Sequence, residues 1–159
     1  MESSRKKGFS FGLTSGIITT LGLIVGLDST THSTLVVIGG ILIIAIADAC
    51  SDALGMHISQ ESTGTHTEKQ IWESTIATFL SKFAFAMTFI FPVLFLPLST
   101  AVIVSIIWGL SLICAFSFYM AKRQGVSPWE VVAEHLIIAV LVILATHFVC
   151  DWVGKTFGV

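Results

Sequence analysis

The sequence predicts an all-α integral membrane protein with five transmembrane helices. Three observations carry that expectation. Charged residues make up 11% of the 159, where an ordinary soluble domain has about 25%. The mean hydropathy is +0.91. Five apolar stretches stand at residues 9–27, 35–57, 72–96, 100–121 and 129–153, each near the ~20 residues that cross a hydrocarbon core as a helix. The segments between them are short, so the chain is expected to be a single domain.

In order, the chain opens on a polar arm carrying Arg5, Lys6 and Lys7. The apolar run that follows has no small-residue cleavage site and is expected to be a first span, not a removed leader. Its small residues form two pairs at four-residue spacing, Gly12/Gly16 and Gly22/Gly26. Such pairs allow close helix approach in lipid, and a homodimer through this span is expected. A short loop with His32 leads into the second span. Residues 58–71 form the longest polar stretch and read as a loop. The third span contains Lys82 and, near its far end, Pro92; Leu96-Pro97-Leu98-Ser99 reads as a tight turn. The fourth span ends at the loop of Lys122 and Arg123. The fifth begins at Ser127-Pro128, with Pro just inside a helix start, and carries Glu130, Glu134, His135, His147 and Asp151.

Composition excludes several functions. A formal net charge of −2 offers no basic surface for nucleic acid. Cys50, Cys114 and Cys150 all lie in apolar stretches, so no disulfide framework is expected. Twelve Phe and four Trp suit lipid-facing and interfacial positions. There is no nucleophile–base triad, phosphate-binding glycine loop or CxxC, and an enzyme is not expected. With the N-terminus in the cytoplasm, Arg5, Lys6, Lys7, Lys69, Lys122 and Arg123 all fall on the inner side and only Lys155 outside. The positive-inside rule therefore predicts a cytoplasmic N-terminus and an outer or lumenal C-terminus.

The second span holds the residues that demand an explanation. Asp48 and Asp52 lie where every other side chain is uncharged. A charge at the bilayer centre costs about 2.5–3.5 kcal/mol even on the lenient scale. At 100° per residue, Asp48, Asp52 and Met56 fall on one stripe, about 6 Å apart per step. Two carboxylates in low dielectric do not both ionise cheaply, so one is expected to hold a proton until a cation arrives. Carboxylate with thioether is tolerable for Fe²⁺ or Mn²⁺, whereas Mg²⁺ and Ca²⁺ favour oxygen alone.

Lys82 offers a competing role for Asp48. Counting ~1.5 Å per residue, Lys82 lies about 15 Å inside the third helix and Asp48 about 13–14 Å inside the second. The expectation is that Lys82 neutralises Asp48 and leaves Asp52 to titrate, with Glu134 the next candidate partner. Glu61, His66, Glu68 and Glu73 are candidate cation collectors at the cytoplasmic entrance, or ordinary solvated residues. Glu134 and His135 are candidates for a gate or proton relay, and His147 and Asp151 for an outer release point. His57, about 140° round from Asp52, is expected at the interface.

Two motifs carry a family resemblance. The run Ser15-Gly16-Ile17-Ile18-Thr19-Thr20, followed by Gly22 and Gly26, is similar to an Asp-Gly-hydrophobic-x-Thr-Thr pattern. The run Ala49-Cys50-Ser51-Asp52-Ala53-Leu54-Gly55-Met56 is similar to Ala-x-Ser-Met-x-x-Gly-Glu. Both patterns belong to the vacuolar iron transporter family, which the chain resembles from Gly12 onward. The resemblance implies a five-span, dimeric exporter of ferrous iron or manganese from the cytosol, in exchange for protons. The departures are chemical. Ser15 stands where the family has its pathway Asp, Asp52 where it has Met, and Met56 where it has an acid. The long metal-binding helices between spans two and three are reduced to residues 58–71. Two alternatives stay open, a non-transporting scaffold with the same fold and a transporter of another cation or solute.

Overall fold

The computed structural model describes residues 2–158, and every regular element among them is helical. Helix α1 spans Glu2–Thr31, and α2 spans Thr34–Ile43. A π-helical turn, Ile44–Asp48, joins α2 to α3, Ala49–Ser62. Then come α4, Glu68–Thr88; α5, Ile90–Phe95; α6, Leu98–Gln124; and α7, Pro128–Phe157. These make five helical units long and apolar enough to cross a membrane, because α2 to α3 run on as one unit and α4 with α5 as another.

Local chemistry sets the boundaries. Ser33 caps α2, its Oγ accepting from the Val36 N–H. Thr67 and Gln70 form a reciprocal capping box at the start of α4, which satisfies two otherwise orphaned donors. The division between α4 and α5 follows from Pro92, whose ring crowds the carbonyl four residues back, at Thr88. Helix α6 stops at Gly125, which takes φ 71, a left-handed conformation open to glycine without steric cost.

The helices run further than hydropathy alone suggests. Only His32 and Ser33 separate the first two spans. Residues 58–62 belong to α3, so the expected loop at 58–71 shrinks to residues 63–67. Polar residues past the apolar stretch still continue the backbone hydrogen bonds.

Helix α1 is the centre of the bundle. It packs along α4 and α7 and also meets α2, α3 and α6. In its most apolar window 56% of residues are buried, against 6% for α7. Leu13, Ile17, Leu21 and Ile24 supply one side of the core, meeting Val37 and Ile41 of α2, Phe89 and Val93, and Ile113 of α6.

This placement corrects the use expected for the small residues of the first span. Gly12 and Gly16 lie against α4, where added Cβ atoms would come within 2.2 Å of Ser81 Oγ and 3.0 Å of the Lys82 carbonyl oxygen. Gly22 and Gly26 face Thr146 and Cys150 of α7. Both pairs are therefore taken up inside the chain, leaving no glycine face on α1 to meet a second copy.

The contacts also fix relative direction. Rising numbers on α1 meet rising numbers on α4 and α7, so these three run parallel. Residues 5–7, 69 and 122–123 therefore share one end, with Lys155 at the other. Single cysteines at Gln124 and Phe157, in a chain lacking the native three, should label from opposite membrane faces, Gln124 from the cytoplasmic one. Labelling of both from one face would overturn the orientation; Val159, the terminal residue first expected outside, lies beyond the described residues.

Candidate functional site

Lys82 lies in the middle of α4 and is 0% exposed. Its Nζ lies 2.6 Å from Asp48 Oδ2 and 2.5 Å from Asp52 Oδ2, and donates to Ser15 Oγ at 2.9 Å. Its hydrogen bonds go to Asp52 Oδ2 and Ser15 Oγ, and Asp48 adds an ion pair. The Ser15 hydroxyl then donates to Asp52 Oδ2 at 2.6 Å. Three spans therefore converge on one cation that the chain itself supplies.

The surroundings explain why a lysine can lie so deep. Gly16 leaves room beside its backbone and Cγ. On the opposite side, the π turn ends at Asp48, where the Ala49 N–H reaches back five residues to the Ile44 carbonyl. Such single turns recur at functional sites within helices. The carboxylates are not sealed: the Asp48 side chain is 35% exposed and that of Asp52 21%. One ammonium facing two carboxylates leaves a formal charge of −1 when all three are ionised, directed toward the open side.

The expected pairing of Lys82 with Asp48 is present, but Asp52 is not left free. It shares the same ammonium. Met56, the third member of the expected stripe, accepts from Gln60 Nε2 at 3.6 Å. No group of three His, Cys, Asp or Glu able to hold a metal ion occurs among the described residues.

The remaining candidates are scattered. Glu61 and Glu68 are exposed, and His66 is half-buried in the link to α4. Glu73 points elsewhere, into a groove beside Arg5, Lys6 and Arg123. Glu134 is exposed, whereas His135 Nδ1 lies 2.7 Å from Ser117 Oγ in a small pocket with Ser10 and Thr14. The two neighbours in sequence therefore face different surroundings. His57 pairs with Thr75 Oγ1 at 3.1 Å and lies edge-on to Trp72. His147 contacts Ser29 Oγ at 2.6 Å, while Asp151 holds Lys155 at 2.7 Å.

Sequence reasoning passed over one member of the site and one glycine that supports its packing. Ser15 stood only as a replaced acid, yet its hydroxyl bridges Lys82 and Asp52. Gly8 extends the glycine stripe by one turn, packing on the Ser74 carbonyl; the spacing Gly8-x3-Gly12-x3-Gly16 was its signal. No protein-family model and no curated protein matches the chain.

Proposed function

We propose that the protein is a membrane transporter for a cation, with Asp48 and Asp52 as the binding carboxylates and Lys82 as the resident cation. The observation that carries this reading is a fully buried ammonium held by two partly exposed carboxylates, midway along two long apolar helical units. Intramembrane charges of this kind mark ion or proton pathways by default. The cargo we assign is a divalent transition-metal cation, of the iron or manganese class that the family resemblance implies. In this reading a dication reaching the carboxylates from their open side is repelled by the ammonium. Lys82 must then move away from the carboxylates as the cation arrives. The π turn beside Asp48 supplies a segment whose hydrogen bonds can rearrange locally.

A second reading has its own support. A buried ammonium that joins three spans through two carboxylates and a hydroxyl is also what a structural staple looks like. The protein would then be a scaffold. The two readings part at Asp52→Asn, which keeps the shape and leaves Lys82 paired with Asp48. As a transporter, this variant should lose most of its Fe²⁺ or Mn²⁺ flux into proteoliposomes while its level in the membrane stays near wild type. As a scaffold, it should show at most a lowered melting temperature. Full flux in Asp52→Asn removes that carboxylate from the pathway, and no flux of any tested cation in the wild-type protein ends the transport reading.

A further inference from the structure

A groove of about 930 Å³ runs between α1, α4 and α6, away from the lysine–carboxylate site. Its volume falls in the ~300–1,000 Å³ range of small-ligand clefts. Small residues of α4, Ala77, Ser81 and Ala84, form its floor. Phe9, Phe85 and Phe116 form a wall, Phe9 lying edge-on to both others with ring centres 6.2 Å apart. Along most of its length the groove is apolar.

One end differs. Arg5, Lys6 and Arg123 line the groove there, together with Glu73. The two guanidiniums, Arg5 and Arg123, set against the Glu73 carboxylate, leave a surplus of one positive charge. The Arg123 guanidinium lies over the Tyr119 ring, 5.3 Å from its centre, which braces it at the rim. This end coincides with the bundle end that gathers six of the basic residues. A channel that is apolar along its length and cationic at the membrane surface matches the two halves of one molecule.

We propose that the groove is a binding site for an anionic phospholipid. One acyl chain lies along α4 between Phe9 and Leu80, and the phosphate meets Arg5 and Arg123. Basic pockets between transmembrane helices at the cytoplasmic side bind anionic headgroups by this charge complementarity, and the guanidinium fork suits phosphate oxygens. A zwitterionic lipid would fill the same groove but gain less from the surplus charge.

The test is native mass spectrometry of the full chain, released from detergent micelles containing phosphatidylcholine and phosphatidylglycerol in equal amounts. The wild-type protein should retain phosphatidylglycerol in preference to phosphatidylcholine. Arg5→Gln and Arg123→Gln lie on the exposed surface and should each weaken that preference about fivefold, near the contribution of one basic residue at an anionic surface. Ala84→Trp fills the groove without touching the charges and should abolish retention; Ala77→Phe carries that arm if the Trp variant does not fold. A wild-type protein without preference overturns the proposal. Preference that survives Ala84→Trp and Ala77→Phe also overturns it, since surface charge alone is then the cause. A dimeric mass that vanishes in the groove-filling variants would give the groove to a second copy of the chain instead.

Discussion

Lys82→Ala should remove most of the folded protein from the membrane. Without the ammonium, Asp48 and Asp52 face each other across a low-dielectric site with only the Ser15 hydroxyl between spans. Breaking a buried ion pair by removing one partner costs about 3–5 kcal/mol, a large share of the ~5–15 kcal/mol that holds a typical protein folded. Because both carboxylates lie on the ammonium, neutralising only one should rescue only in part. Asp48→Asn with Lys82→Gln, and Asp52→Asn with Lys82→Gln, should each recover some thermal stability in detergent. Replacing all three charges should recover more than either pair. The reading fails if the effects of the single changes simply add, for then the side chains do not meet. Full recovery from Asp48→Asn with Lys82→Gln alone would restore the simpler pairing, with Asp52 free.

Gly12→Ala should be almost as damaging, although it adds a single methyl group. That carbon would lie 2.2 Å from Ser81 Oγ and 2.3 Å from the Thr78 carbonyl oxygen. The hydroxyl can turn away, but the carbonyl belongs to the α4 backbone, so the two helices must part. Forcing extra volume into a close-packed contact costs about 1–3 kcal/mol, and here the separation also disturbs Lys82, one turn along. Gly55→Ala provides the contrast, because nothing lies within 4 Å of its added carbon. That change should be harmless, or stabilising by up to ~1 kcal/mol through helix propensity. Melting curves of the two variants side by side decide the matter. Equal stability would mean that α1 and α4 do not approach so closely. Loss of a dimer from an otherwise stable Gly12→Ala protein would return this glycine face to a second copy.

The five helices were legible because lipid imposes a coarse requirement, a long apolar stretch, that composition reveals directly. Helix ends were less so. Hydropathy marks where lipid stops, whereas the backbone continues its hydrogen bonds through Asp28 to Thr31 and through residues 58–62. At the site, depth counted along two helices was enough to bring Lys82 level with Asp48. It could not say that one ammonium reaches both carboxylates, because depth along a helix does not fix where the end of a long lysine side chain lies. The glycine stripe was visible but its partner was not. Close approach of two helices looks the same in sequence whether the second belongs to this chain or another. Periodicity could not foresee that Gln60 would take up the Met56 sulfur.

The shared ammonium also bears on how the chain enters the bilayer. Span two brings two carboxylates and span three brings one ammonium, and each alone would meet the ~2.5–3.5 kcal/mol per charge of an uncompensated crossing. Only five residues, 63–67, separate their helices. Span two is synthesised first, so it reaches the membrane before the charge that balances it. Its passage into lipid is therefore completed by the arrival of span three, and the pair is best suited to leave the translocation machinery as one hairpin. Helix α1 is made earliest, and the partners of its Ser15, Gly8, Gly12 and Gly16 all come from that hairpin.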